Sequence, residues 1–274
     1  MDQEAPIVIV GAGRSGTTLL ASILGEHPDI YMIGETSFLL PRLRETFFSR
    51  PEYVRNYRLG KLSQSLQHES RDLSWFSYWQ GILNRDLSKI PNLSVIEDAE
   101  NARIAKSIGT LFADTLIPPD LRRARWGFKE IWNGGDAFNY SWKTYTDAFP
   151  NAQYVQCVRN PFAFAKSYFA NNQKQPSGPD LIYLLTQWVK IVERARELSS
   201  TGRYLELRLE NLELDTLFEF IGLDRHPKCV AEMASQHLPS NFKVKMPELT
   251  SKQIAAIPGF APLTEGLRYQ FGHT

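Results

Sequence analysis

Residues 5–24 constrain this chain more than any other stretch. Ala5-Pro6-Ile7-Val8-Ile9-Val10 is a continuous apolar, largely β-branched run, the pattern of a strand buried on both faces of a parallel sheet. Gly11-Ala12-Gly13-Arg14-Ser15-Gly16-Thr17-Thr18 follows it, and Thr17 to Leu24 then places Leu19, Leu20, Ile23 and Leu24 on one helical face. Gly25, His27 and Pro28 end that helix. A glycine-rich turn between a buried strand and a helix start gathers backbone N–H groups and the positive end of the helix dipole around an anion.

The spacing of that turn is G-x-x-x-x-G-x-T, with Thr17 where nucleotide hydrolases carry the lysine that reaches the β- and γ-phosphates. Losing that lysine and placing Arg14 inside the loop argues against ATP or GTP γ-phosphate chemistry. A turn that merely packs a helix on a sheet is the competing reading. The strand before and the helix after favour phosphate binding.

Downstream, Ile30 to Ile33 reads as a second strand that delivers Gly34-Glu35-Thr36-Ser37 at its end, so the first 35 residues read as a strand, helix, strand unit. Further strands are expected at 126–129, 152–158 and 204–209, with helices at 162–171 and 181–198 between the last two. Such alternation predicts an α/β fold with a central parallel sheet and helices on both faces. Residues 41–119, rich in arginine and aromatics with a helical patch at 99–116, read as a helical insertion forming part of a cleft. The aromatic run Trp75-Phe76-Ser77-Tyr78-Trp79 suits either an acceptor pocket or helix packing. Residues 239–262 read as a surface loop carrying Lys243, Lys245 and Lys252, and the whole chain, 1–274, as one domain.

A second anion signal lies in Val158-Arg159-Asn160-Pro161, at the carboxyl end of a predicted strand, where open α/β sheets bind ligands. Ser167 follows eight residues later on a helix. Either residue alone reads as an ordinary strand-end or helix residue. Beside a phosphate loop they suggest a second phosphate.

Together these segments resemble the 5′-phosphosulfate and 3′-phosphate motifs of the sulfotransferases that use 3′-phosphoadenosine 5′-phosphosulfate (PAPS). Gly13-Arg14-Ser15-Gly16-Thr17-Thr18 is similar to the first, and Arg159-Asn160-Pro161 with Ser167 to the second. Similarity extends to Glu26-His27-Pro28, Gly34-Glu35-Thr36, Gly127-Phe128-Lys129 and Leu207-Arg208-Leu209-Glu210-Asn211-Leu212. The pattern is closer to the tyrosylprotein and carbohydrate branches than to the cytosolic small-phenol branch. The resemblance implies a phosphate-loop NTPase-like fold. It also implies that Gly13, Arg14, Ser15, Gly16, Thr17 and Thr18 hold the phosphosulfate, that Arg159 and Ser167 hold the 3′-phosphate, and that Glu35 is the base. Lys129 and Arg14 would neutralise the transferring group, and Tyr204 would flank the adenine. Glu130 is the alternative base. Lys243, Lys245 and Lys252 are the candidates for a basic loop over the nucleotide.

The expected reaction is sulfuryl transfer to a hydroxyl acceptor, leaving adenosine 3′,5′-bisphosphate. A phosphate-loop kinase and a catalytically silent nucleotide-binding protein are the alternatives. Composition sets the outer limits. A net charge of +1 over 274 residues provides no general field for nucleic acid or an anionic membrane, so any anion site must be local. Cys157 and Cys229, 72 positions apart, match neither a zinc site nor a disulfide scaffold, and His27, His68, His226, His237 and His273 are scattered, so no metal is expected. The acidic Met1-Asp2-Gln3-Glu4 start lacks the basic region of a secretory signal, and no apolar run reaches membrane-spanning length. A cytoplasmic enzyme is expected.

Overall fold

The apolar run that opens the chain forms the central strand of a five-stranded, all-parallel sheet in the order β2-β3-β1-β4-β5. The computed structural model describes residues 5–36, 40, 93–118, 120, 125–132, 144–235 and 244–269. The strands are β1 (Ile7–Ala12), β2 (Ile30–Glu35), β3 (Arg125–Trp132), β4 (Gln153–Val158) and β5 (Tyr204–Arg208). Every residue of β1 is buried, as a strand flanked on both edges and covered on both faces requires.

Alternation along the strands divides the core into two layers. One face of β1, through Ile7 and Ile9, meets α1 (Thr17–Gly25), with Leu20, Ile23 and Leu24 buried against it. Further along the chain α5 (Leu214–Ile221) and α6 (Pro227–Ser235) complete that layer. The other face, through Val8 and Val10, is covered by α2 (Leu93–Leu116), α3 (Pro161–Asn171), α4 (Gly178–Arg196) and the C-terminal α7 (Ser251–Ala255) and α8 (Phe260–Gly266). The expected two-sided α/β architecture is thus present. Among the described residues, no helix is long and apolar enough to cross a membrane.

The structure refines two expectations and departs from a third. The first strand, helix, strand unit is present, with β3, more than 90 residues later in the chain, lying between its two strands. Helical periodicity specifies a crossover but not how many strands it skips. The helical patch at 99–116 belongs to α2, which packs on the sheet. Ile108 and Phe112 are buried on the sheet, with the Phe112 ring 5.3 Å from that of Phe128 on β3. Of the expected insertion, 41–119, residues 93–118 are the part described; Trp75-Phe76-Ser77-Tyr78-Trp79 lie outside the described residues. Finally, the stretch expected as a surface loop at 239–262 contains α7 and the start of α8, and Phe260 is fully buried beside Trp188. Its apolar residues are spaced too widely for a helical stripe to stand out, yet they cover the edge of a core already built by α3 and α4.

Candidate active site

The loop after β1 is held from beneath. The Ser15 backbone N–H and its hydroxyl both donate to the Ala12 carbonyl, at 3.1 and 2.6 Å. The Cys157 thiol on β4 donates to the Ser15 carbonyl at 3.0 Å. Burial pushes that thiol up to about 12, so it stays a neutral donor. Arg14 sits at φ 72° and Gly16 at φ 102°, so the loop reverses through two left-handed positions before the helix begins. A Cβ on Gly16 would stand 2.5 Å from Leu209 Cδ1. Gly16 caps α1 without a side-chain hydrogen bond, which leaves the first-turn N–H groups to an incoming anion.

Two half-sites open from this loop. On the β4 side, α1 covers one face of the sheet and α3 the other, so the connections after β1 and β4 diverge at their carboxyl ends, where open α/β sheets bind ligands. Arg14 Nε donates to Ser167 Oγ at 3.3 Å, and Arg159 Nη1 donates to the Arg14 carbonyl at 3.3 Å. Ser167 is 1% exposed. Burial lowers the Arg159 guanidinium from its ordinary value; Glu210 counteracts this and Arg14 adds to it, and a guanidinium stays protonated throughout. The two arginines and Ser167 thus meet at the carboxyl ends of β1 and β4.

On the β3 side, Lys129 Nζ donates to Thr18 Oγ1 at 2.9 Å and lies 3.6 Å from Glu35 Oε2. Lys129 is nearly buried, whereas Glu35 is open to solvent. A bulge creates this pair. Met32 is opposite Gly127 in the β2–β3 ladder, but Glu35 is opposite Lys129, one residue out of step. Without the extra residue Gly34 would face Lys129, and Glu35 would turn to the other face of the sheet.

The structure therefore brings together Arg14, Thr18, Glu35, Lys129, Arg159 and Ser167 around the loop, with Gly13, Ser15, Gly16 and Thr17 forming the loop and helix start. Glu35 lies on β2, with β3 and Lys129 between it and β1. Glu130 is fully buried on the opposite face, toward Phe128 and Tyr145.

Tyr204 does not join the site. It opens β5 opposite Tyr154, and its hydroxyl donates to Gln156 and, at 3.1 Å, to Glu206. It lies four residues before the strand end, about 13 Å from the carboxyl edge. An aromatic on a strand shows its face of the sheet in sequence, but not its distance from the loop. Lys245 and Lys252 are exposed, and Lys243 lies outside the described residues. Among the described residues no three His, Cys, Asp or Glu side chains gather as a metal site would need. Sequence reading missed Cys157 as the loop's anchor; Glu210 reads from the sequence as a structural sheet-end residue, and it accepts from Asn160 N–H and the Tyr269 hydroxyl.

Fold and site together define an α/β protein of the nucleotide-binding type whose loop after β1 carries Arg14 and has Thr17 at the hydrolase lysine position. A family model described as Sulfotransferase family matches residues 6–226. The chain belongs to that family and is a sulfotransferase. The sulfotransferase domain of the Synechococcus PCC 7002 olefin synthase shares its fold, with a TM-score of 0.50 and 18% identity over 99% of this chain and 98% of that one. Sulfotransferase STF9 from Mycobacterium avium matches with a TM-score of 0.51 and 14% identity, over 99% of this chain and 79% of that one. No curated protein matches the chain by sequence.

Proposed function

We propose that the chain transfers the sulfuryl group of PAPS to a hydroxyl acceptor, with Glu35 as the base. The observation that carries this reading is the pairing of two half-sites on one loop: Arg14, Arg159 and Ser167 on one side, Lys129 beside Glu35 on the other. The donor set fits a nucleotide with two separate anionic groups. Arginine guanidinium groups and a buried hydroxyl suit a phosphate monoester, and uncapped helix N–H groups suit the phosphosulfate. PAPS supplies a sulfuryl group on an anhydride to phosphate.

The loop and first turn of α1 orient the phosphosulfate through backbone N–H groups, and Thr17 and Thr18 lie in that turn. Lys129, fixed by Thr18, presents its charge where negative charge develops during transfer, as preorganised electrostatic stabilisation requires. Glu35 Oε2 accepts the acceptor's hydroxyl proton, and the adjacent ammonium of Lys129 holds the carboxylate in place. Its exposure gives an acceptor access, whereas burial of Glu130 denies it. Arg159 and Ser167 bind the 3′-phosphate.

The test is radiolabelled sulfuryl transfer from PAPS across a panel of hydroxyl acceptors, alongside calorimetric binding of adenosine 3′,5′-bisphosphate. Glu35→Gln is expected to bind the bisphosphate normally and lose transfer. Failure of the wild type to bind the bisphosphate sinks the reading. Magnesium-dependent ATP turnover would favour a kinase instead, and nucleotide binding without transfer to any acceptor would favour a silent binding protein.

A further inference from the structure

Arg159 is framed by two hydrogen bonds to consecutive residues of one turn. Before it, the Val158 carbonyl accepts from Leu209 N–H at 2.8 Å; after it, Asn160 N–H donates to Glu210 Oε1 at 2.7 Å. Asn160 is itself committed, since its side-chain oxygen caps α3 by accepting from Phe162 and Ala163 N–H. Glu210 is exposed, yet both of its oxygens are used: Oε2 accepts the Tyr269 hydroxyl at 3.0 Å.

Tyr269 comes from the far end of the chain and is buried there by design of the local turn. Arg268 adopts φ 55°, and the Arg268 and Tyr269 N–H groups return to the carbonyls of Glu265 and Thr264 at 2.8 and 2.9 Å. The reversal at the end of α8 aims Tyr269 back at the sheet edge. The Arg208 guanidinium lies 4.6 Å from its ring centroid, a cation–π contact on the ring face. Burial, and then the neighbouring Glu210 carboxylate, raise the Tyr269 phenol, so it remains a donor.

We propose that Glu210 is a positioning residue for Arg159, locked by Tyr269, so that the C-terminal turn forms part of the half-site that selects a 3′-phosphorylated nucleotide. This rests on the assignment of Arg159 to the 3′-phosphate. The hydroxyl of Tyr269 fixes the Glu210 carboxylate, the carboxylate fixes the Asn160 peptide, and that peptide sets the backbone from which Arg159 projects. Neither residue needs to touch the nucleotide.

The experiment measures the ratio of affinities for adenosine 3′,5′-bisphosphate and adenosine 5′-monophosphate by calorimetry, using the full chain with melting temperatures as the folding control. Glu210→Ala and Glu210→Gln both remove the charge, but only glutamine keeps an acceptor for Asn160 N–H. The alanine variant should show a ratio about tenfold below that of the glutamine variant. Tyr269→Phe, which keeps the carboxylate, should lower the ratio several-fold while leaving monophosphate affinity unchanged. Parallel losses for both nucleotides, or equal ratios for alanine and glutamine, overturn the positioning role. A ratio that Arg159→Ala abolishes but Glu210→Ala and Tyr269→Phe leave intact overturns this role alone. A wild type without preference, or a preference untouched by Arg159→Ala, overturns the Arg159 assignment and this proposal with it.

Discussion

Replacing Gly16 with alanine tests how the phosphate loop is held. At φ 102° an L-residue meets the left-handed penalty of about 1–2 kcal/mol, because its Cβ crowds the following carbonyl. The new methyl would lie 2.5 Å from Leu209 Cδ1 and 3.1 Å from Cys157 Sγ. Leu209 is 5% exposed and packed in the α1-side core, so moving it adds an overpacking cost of about 1–3 kcal/mol. The smaller unfolded-state entropy of alanine returns about 0.4–1 kcal/mol. The expected net loss is about 1–4 kcal/mol. In a chain of this size each kcal/mol moves the melting midpoint by roughly 2–4 °C, so a fall of about 2–16 °C is expected. In a Leu209→Ala background the steric part disappears, and Gly16→Ala should cost only the backbone part. Gly34→Ala is the control, since a methyl there meets nothing within 4 Å at an ordinary φ. Thermal denaturation of the four proteins and the double variant decides it. A Gly16→Ala midpoint within about 1 °C of wild type, or no relief in the Leu209→Ala background, refutes the reasoning.

Lys129→Met should lower kcat on the order of a hundredfold while adenosine 3′,5′-bisphosphate affinity changes far less, because Lys129 sits with Thr18 and Glu35 instead of the Arg159 half-site; a kcat close to wild type contradicts this. Cys157 should make stability fall as pH rises above its unfolded-state value, since its folded thiol is raised to about 12 and the folded state keeps a proton that the unfolded state releases. Its contribution is intact below the unfolded value and declines by about 1.4 kcal/mol per pH unit above it. Urea denaturation from pH 8 to 10 should show a shallower alkaline loss in Cys157→Ala, and an unchanged slope is the contrary result. His27→Leu should cost about 1–3 kcal/mol by urea denaturation. It strands the Asp29 N–H that Nδ1 accepts at 3.1 Å and the Asp224 carbonyl 3.0 Å from Nε2. A cost near zero would show that solvent satisfies both groups.

Much of this site is legible in the chain because its parts are local. The loop needs only glycine and arginine at positions that can turn left-handed between a buried strand and a helix, and those residues adjoin one another. Arg159 and Ser167 are legible for a similar reason, lying on one strand-to-helix junction. Contacts between distant segments are not. Nothing local joins Tyr269 to Glu210, and nothing in the apolar pattern shows that Cys157 bonds the Ser15 carbonyl.

The sequence alone determined the parallel two-sided sheet, the loop and the identities of the charged groups, since hydrophobic periodicity and glycine placement act over a few residues. Tertiary structure decided which strands became neighbours and which face each side chain took. Strict alternation puts Glu35 and Lys129 on opposite faces, and one extra residue in β2 turns Glu35 around to meet Lys129. A bulge depends on how two strands, separated by some 90 residues of chain, settle against each other. The same dependence places Tyr204 far from the loop edge and brings the C-terminal turn to it.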